Sequence, residues 1–190
     1  YNIEGYENYH VLQKILLDMK KISQTEIQNL MALHQRGLDD DVISKASSLV
    51  KEHPEEIILF NLLGVSYERK GSLKNAAEAY KNALNINPNI PEMNFNLGAI
   101  LFSENKVEEA IQFYEKSIQL NNNFPEAYFN LGIALQSMGR FDEAIQCYQK
   151  AIQIQPGFFE AITNMGTIKQ LQGHLDEAAE FFKKSLSIRE

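Results

Sequence analysis

The sequence predicts an all-α fold built from stacked helix-turn-helix units, and three observations support this fold class. Shifting the chain by 34 residues aligns it with itself from about residue 57 to residue 190. Within each repeat, apolar residues recur at the 3.6-residue spacing of a helix. A turn residue separates the two halves of each repeat, as Gly139 does in "LQSMGRFDEA". One helix pair buries too little apolar surface alone, so the pairs are expected to stack.

Five positions carry the repeat. A glycine recurs after a large apolar residue, and an alanine, an aromatic residue and a turn residue recur at fixed distances from it. The glycines are Gly64, Gly98, Gly132 and Gly166, preceded by Leu63, Leu97, Leu131 and Met165. The alanines are Ala76, Ala110, Ala144 and Ala178, and the aromatics are Tyr80, Tyr114, Tyr148 and Phe182. The turn residues are Gly71, Asn105, Gly139 and Gly173.

Each repeat is predicted to contain two helices. The turn residue suits the position just past the first helix, where positive φ is common. The second helix opens with acidic residues near its positive end, as Asp142 and Glu143 do in "FDEAIQCYQKAIQI". Pro156 ends that helix, because proline disfavours helical geometry in the residue before it.

The small residues of the repeat are predicted to allow close packing. Gly132 lacks a Cβ, so we expect the backbone of a neighbouring helix to approach it closely. Ala144 does the same on the second helix, and Leu131 and Tyr148 fill the remaining space. The pattern therefore indicates a core formed by small and large residues that fit together.

The repeats are predicted at residues 57–90, 91–124, 125–158 and 159–190. Residues 23–56 form a degenerate repeat, which keeps Gly37 as its turn residue but has Val42 in place of the alanine. Its start is marked by "SQTE", a capping box that begins at Ser23.

Residues 1–22 fit no repeat and are predicted to form an N-terminal helical segment. Val11, Ile15 and Met19 lie at roughly helical spacing. The segment is expected to cap the first repeat, to dock into a groove of its own or a neighbouring chain, or to be a tag or the tail of a preceding element.

The period and the small/large pattern of residues 57–190 resemble the tetratricopeptide repeat (TPR) family. The resemblance implies a right-handed α-solenoid whose first helices line a concave groove that binds protein segments. The stretch "PEAYFNLGIALQSMGRFDEAIQCYQKAIQIQP" is also similar to the repeat arm of O-linked N-acetylglucosamine transferases, which carries a ladder of asparagines. In this chain the ladder maps onto Asn96, Asn130 and Asn164, and Leu62 breaks it at its start.

The resemblance also predicts which residues face the groove. The predicted peptide-binding residues are Asn96, Asn130, Asn164, Phe95, Phe129, Phe102, Asn61, Ile133, Thr163 and Thr167. An amide can donate and accept at once, which suits a peptide backbone. Two roles stay open at this point, because the asparagines could instead bond locally between helices and the phenylalanines could pack between repeats.

Composition excludes several function classes. The net charge of −7 does not suit a nucleic-acid phosphate backbone, and the longest apolar run, at 57–65, is too short to span a membrane.

Arg69 is the one basic residue among the positions that clamp a partner's carboxylate in some family members, so this mode is not expected. Cys147 is predicted to be a small core residue, and the four histidines have no metal-ligand spacing. We therefore predict no catalytic site, no cofactor and no metal.

The sequence thus predicts a cytoplasmic, non-enzymatic scaffold that binds an extended segment of another protein. One alternative is the substrate-recruitment arm of a larger enzyme, of glycosyltransferase or sulfotransferase type. Another is self-assembly into a homo-oligomer through uncapped solenoid ends, since the last helix carries uncovered apolar residues. These are Phe181, Phe182, Leu186 and Ile188.

Overall fold

The computed structural model describes residues 22–189, and within that range it contains ten α-helices and no strand. The predicted N-terminal helical segment 1–22 lies outside the described residues, apart from Ile22. The helices form five consecutive pairs, each joined by a short turn. They are α1 (Gln24–Gln35), α2 (Asp39–Glu52), α3 (Ile57–Arg69), α4 (Leu73–Ile86), α5 (Pro91–Ser103), α6 (Val107–Leu120), α7 (Pro125–Ser137), α8 (Phe141–Ile154), α9 (Phe159–Leu171) and α10 (Leu175–Arg189).

The chain divides into two compact units, Tyr1–Pro88 and Asn89–Glu190. The first unit contains α1 to α4, and the second contains α5 to α10. In the part of the chain that the structure describes, no helix has the length and apolarity needed to cross a bilayer.

The first unit begins with the predicted capping box. The Ser23 hydroxyl accepts a hydrogen bond from the backbone N–H of Glu26 at 3.2 Å, and the Glu26 carboxylate accepts one from the backbone N–H of Ser23 at 3.1 Å. These bonds satisfy two donors that a helix start otherwise leaves free. The core of the unit is aliphatic and includes Val42, which is fully buried where other repeats have an alanine.

Arg69 joins three elements of the first unit. Its guanidinium donates to the backbone carbonyl of His34 at 3.0 Å and pairs with the Asp39 carboxylate at 3.5 Å. Burial and the nearby Arg69 charge lower the pKa of His34. Arg69 therefore holds the end of α3 against the turn between α1 and α2.

In the second unit, each pair packs tightly and the second helix of a pair contacts the first helix of the next. Thus α6 packs on α7, and α8 packs on α9. The core includes two fully buried tyrosines of the repeat, Tyr114 and Tyr148. Proline stands at the first position of α5 and α7, where its missing N–H costs nothing.

The repeat glycines leave room for the ring of the repeat aromatic residue. A Cβ built on Gly132 would lie 2.5 Å from Cε1 of Tyr148, and one on Gly98 would lie 2.9 Å from Cε1 of Tyr114. The closest neighbour at Gly132 is therefore the ring from the second helix of the same pair, and at Gly98 the backbone carbonyl oxygen of Ala110 would also lie 3.3 Å from a Cβ.

The turn residues adopt the predicted left-handed geometry. Asn105 has φ of 61° and is the one non-glycine residue with positive φ in residues 22–189. Asparagine tolerates this region better than most residues with a Cβ. Gly139, its counterpart in the next pair, has φ of 73°. These positions let the chain leave one helix and start the next within three residues.

Candidate peptide-binding surface

The predicted groove residues lie on the first helices of their pairs. Asn61 is on α3 in the first unit, and the other nine are on α5, α7 and α9 in the second unit. All ten side chains are half-buried, so each keeps some contact with solvent. The second unit holds all three predicted groove asparagines.

The asparagine of α9 bonds to a buried tyrosine of the preceding pair. Nδ2 of Asn164 donates to the hydroxyl of Tyr148 at 3.3 Å. One repeat earlier, the side chain of Asn130 lies close enough to Tyr114 to lower the pKa of its hydroxyl in part. The local, inter-helix role that the sequence left open is thus present in the structure.

A chain of hydrogen bonds continues from Tyr148 to a third helix. Its hydroxyl donates to Oε1 of Gln136 at 2.8 Å, so Asn164, Tyr148 and Gln136 link α9, α8 and α7. In the first unit, the hydroxyl of Tyr80 donates to Glu68 at 2.8 Å from the equivalent positions. The link fixes the orientation of the Asn164 amide relative to the two preceding helices.

Burial raises the pKa of both tyrosines in this network to about 12, although the asparagine bonds lower it in part. The hydroxyls of Tyr114 and Tyr148 are therefore neutral near pH 7 and can donate and accept at the same time. The bond to Gln136 requires the hydroxyl proton of Tyr148, whereas the bond from Asn164 uses a lone pair of the same oxygen.

The tyrosine bond uses only part of each asparagine's capacity. A side-chain amide has two N–H donors and a carbonyl oxygen with two lone pairs. Tyr148 occupies one donor of Asn164, and the half-buried side chain retains solvent contact. A structural role and a ligand-binding role are thus compatible in one residue.

Phe95 and Phe129 take part in packing between helix pairs. The ring of Phe95 lies 4.9 Å from that of Phe124, and the ring of Phe129 lies 4.8 Å from that of Phe158. Phe124 and Phe158 immediately precede the first helix of the following pair. Such tilted aromatic pairs add stability beyond the area that they bury. The packing role that the sequence left open is therefore present for both residues.

Thr163 occupies the same position in α9, beside an open cleft. This cleft has a volume of about 610 Å³ and lies between α7, α9 and α10. Four predicted groove residues meet there, namely Phe129, Ile133, Thr163 and Asn164. The other lining residues are Phe159, Glu160, Phe182, Ser185 and Leu186. The change from phenylalanine to threonine at one repeat position was the sequence signal for this cleft.

Two hydroxyls form a polar patch on the cleft wall. Oγ1 of Thr163 and Oγ of Ser185 are 2.6 Å apart, and both lie within hydrogen-bond distance of the backbone carbonyl of Phe159. Each hydroxyl has one proton, and these contacts can use both protons. The patch therefore offers acceptor lone pairs to a ligand.

The described residues give little support for catalytic chemistry. Cys147 is half-buried on α8, and burial raises the pKa of its thiol to about 11. The thiol is thus protonated near pH 7 and poorly nucleophilic. Among residues 22–189, no three metal-ligating side chains are grouped to hold an ion.

Comparisons with known proteins agree with this architecture. Family profiles described as tetratricopeptide repeat match residues 125–158 and 160–190. A third, described as TPR repeat, matches residues 64–103 and 98–139. No curated protein sequence matches the chain significantly.

Similar solved structures include MamA and YrrB. A MamA structure is 30% identical, covering 83% of this chain and 92% of MamA, with a TM-score of 0.79. MamA from Desulfovibrio magneticus RS-1 is 17% identical, covering 89% and 97%, with a TM-score of 0.81. YrrB, a TPR protein described as having an unusual peptide-binding site, is 20% identical, covering 93% and 91%, with a TM-score of 0.77.

Proposed function

Since this chain belongs to the tetratricopeptide repeat family, we propose that it is a scaffold that binds an extended peptide segment of another protein. The binding surface is formed by the half-buried asparagines of α5, α7 and α9 together with the cleft beside Thr163. The observation that carries the proposal is the convergence of four predicted groove residues on one mainly apolar cleft.

The asparagines are suited to hold a peptide backbone. Tyr148 fixes one end of the Asn164 amide and leaves the remaining donor and acceptor for a ligand. A pre-oriented side chain loses less entropy on binding than a free one. Asn96 and Asn130 stand at the same repeat position, so they would present further amides along an extended chain.

The energies require the cleft as well as the amides. Three net hydrogen bonds contribute about 2–4 kcal/mol, whereas micromolar affinity needs about 8 kcal/mol. Burial of apolar peptide side chains in the cleft would supply much of the remainder. The surface therefore works as a unit, in which backbone bonds set the register and the cleft adds affinity.

The proposal includes several finer points. The scaffold is not itself an enzyme, acts in the cytoplasm and needs no cofactor. The same surface would serve in a free-standing scaffold or in the substrate-recruitment arm of a larger enzyme. The coding sequence beyond Glu190 distinguishes these arrangements.

A second candidate function is self-assembly into a homo-oligomer. Large apolar side chains at the end of α9 and along α10 are exposed to solvent. The exposed fraction is 64% for Leu171, 65% for Leu175 and 61% for Leu186. Exposed apolar patches mark protein interaction sites. Light scattering that shows only monomers at high protein concentration would exclude this function.

An array of immobilised random dodecapeptides tests the peptide-binding proposal. The double variant Asn130→Ala/Asn164→Ala is expected to bind selected peptides about 5–150-fold more weakly, because two net hydrogen bonds are lost. The matched control is Tyr114→Phe/Tyr148→Phe, which also breaks the asparagine–tyrosine bonds but keeps both amides.

The control separates recognition from folding. Tyr148→Phe also removes the bond from Tyr148 to Gln136, and each lost bond costs about 0.5–1.5 kcal/mol, so the melting temperature of the tyrosine variant should fall at least as far as that of the asparagine variant. Affinity should fall strongly in the asparagine variant alone. If the tyrosine variant loses as much affinity, the amides act only through the fold, and the proposed recognition role is wrong.

A further inference from the structure

We propose that the cleft beside Thr163 receives an aromatic side chain with a hydrogen-bond donor at its tip, tyrosine or tryptophan, next to a basic residue of the bound peptide. This inference rests on the proposed function and specifies its ligand. Its basis is the open space, the acceptor patch and the carboxylate that the structure brings together at this point.

The internal repeat indicates that an aromatic ring fits this space. In the two preceding pairs, a phenylalanine on the first helix packs against a phenylalanine that precedes the next pair, at 4.9 Å and 4.8 Å. Thr163 replaces the first member of this ring pair, and the cleft remains beside it. The walls still include Phe129, Phe159 and Phe182, which can contact an incoming ring by edge or face.

The hydroxyl patch favours a ring with a polar tip. Thr163 and Ser185 can use both of their protons on each other and on the Phe159 carbonyl, which leaves acceptor lone pairs at the cleft. A phenol O–H or an indole N–H would donate to them. Buried tyrosine and tryptophan side chains usually find such a partner, whereas phenylalanine leaves the patch unmatched.

Charge favours a basic neighbour in the ligand. Glu160 is exposed at the first turn of α9 and is the one charged side chain among the lining residues. Glu126 is exposed at the equivalent position of α7 but does not line the cleft. The net charge of −7 adds to the attraction for a cationic peptide.

The size of the cleft suits more than a single ring. Its volume of about 610 Å³ lies within the roughly 300–1,000 Å³ of known ligand sites. It can therefore hold one aromatic side chain together with adjoining peptide backbone, within reach of the Asn164 amide on the same wall.

Methyl NMR tests the cleft without relying on backbone recognition. The probes are N-acetyl-tyrosine amide and N-acetyl-phenylalanine amide, and the reporters are the methyl groups of Ile133, Thr163 and Leu186. We expect shifts in these methyls, with the tyrosine probe binding about 2–10-fold tighter, the range of one net hydrogen bond. Thr163→Val should remove that preference. Equal binding of both probes to the unmodified chain would overturn the role of the hydroxyl patch.

Labelled nonapeptides test the whole ligand by fluorescence polarisation. The set varies a central residue (Tyr, Phe, Leu or Ala) and its neighbour (Lys or Glu). We expect peptides with a central tyrosine to bind at least about tenfold more tightly than those with alanine. Peptides with the neighbouring lysine should bind about 2–5-fold more tightly than those with glutamate, as for exposed ion pairs. Glu160→Lys should reverse the lysine preference, whereas the matched control Glu126→Lys should keep it.

The outcomes separate this inference from the proposed function. If nonapeptides bind without aromatic or charge preference and Asn130→Ala/Asn164→Ala weakens them all, the inference is wrong and the scaffold function stands. If no nonapeptide binds at millimolar concentration, the proposed function itself fails. If the chain dimerises and the tyrosine probe changes neither the dimer nor the methyl signals of Ile133 and Thr163, a second copy of the chain occupies the cleft and the inference is overturned.

Discussion

The substitution Gly132→Ala tests the packing of the repeat glycine against the repeat tyrosine. An added methyl carbon would lie 2.5 Å from Cε1, 2.8 Å from Cδ1 and 3.0 Å from Cζ of Tyr148. Carbon atoms prefer about 3.5–4.0 Å, so the ring would have to move by about 1 Å. Tyr148 is fully buried and hydrogen-bonded to Gln136, so the ring has little room to move.

The net cost follows from three contributions. Overpacking costs about 1–3 kcal/mol, and weakened hydrogen bonds of Tyr148 cost about 0.5–1.5 kcal/mol more. The better helix propensity of alanine offsets about 1 kcal/mol. We expect a net loss of about 0.5–3.5 kcal/mol, which lowers the melting temperature by roughly 1–14 °C in a chain of this size.

Thermal unfolding followed by circular dichroism measures this loss. Gly157→Ala is the matched control, because a Cβ there meets no atom within 4 Å and the backbone is not left-handed. That variant should be as stable as the unmodified chain or slightly more stable. If Gly132→Ala unfolds at the same temperature as Gly157→Ala, the ring contact does not determine packing and the reasoning is wrong.

Burial raises the pKa of Glu68, which accepts a hydrogen bond from Tyr80, as Gln136 accepts one from Tyr148 two repeats later. Glu68→Gln should therefore raise the melting temperature at pH 7 and lose this gain near pH 4 as the carboxyl protonates. The Oγ of Ser117 is buried with no hydrogen-bond partner in residues 22–189, so Ser117→Ala should add about 1 kcal/mol of stability in urea unfolding. Tyrosine ionises near pH 10 in the unfolded chain, whereas burial raises the pKa of Tyr114 and Tyr148 to about 12. Between pH 10 and pH 12 ionisation therefore favours the unfolded chain, and the free energy of unfolding should fall, but less so in Tyr114→Phe/Tyr148→Phe. An unchanged alkaline profile in that variant would contradict this assignment.

Much of the local structure could be predicted from the sequence because it depends on local chemistry. The capping box at Ser23 and the positive φ of Asn105 are confirmed, since caps and turns are set by a few adjacent residues. The helix pairs follow from apolar spacing in the same way. The repeat boundaries themselves stay predictions.

The details of the site depend on contacts between residues far apart in sequence. The bond from Asn164 to Tyr148 joins residues 16 positions apart, and the pattern alone could not decide whether that asparagine bonds locally. The close contact of the Tyr148 ring with Gly132 was not predicted, because a glycine shows that space is needed but not which group fills it. The peptide-binding role of the groove residues stays a proposal.

The hydrogen-bonded link from Asn164 through Tyr148 to Gln136 has a mechanical consequence. A tensile load applied to the Asn164 side chain is borne by two other helices as well as by α9. The stiffness of the Asn164 side chain at this surface therefore depends on three helices that share the load. Under the proposed peptide binding, a softer link would widen the range of peptide shapes accepted, and Tyr148→Phe softens the link at a fully buried residue.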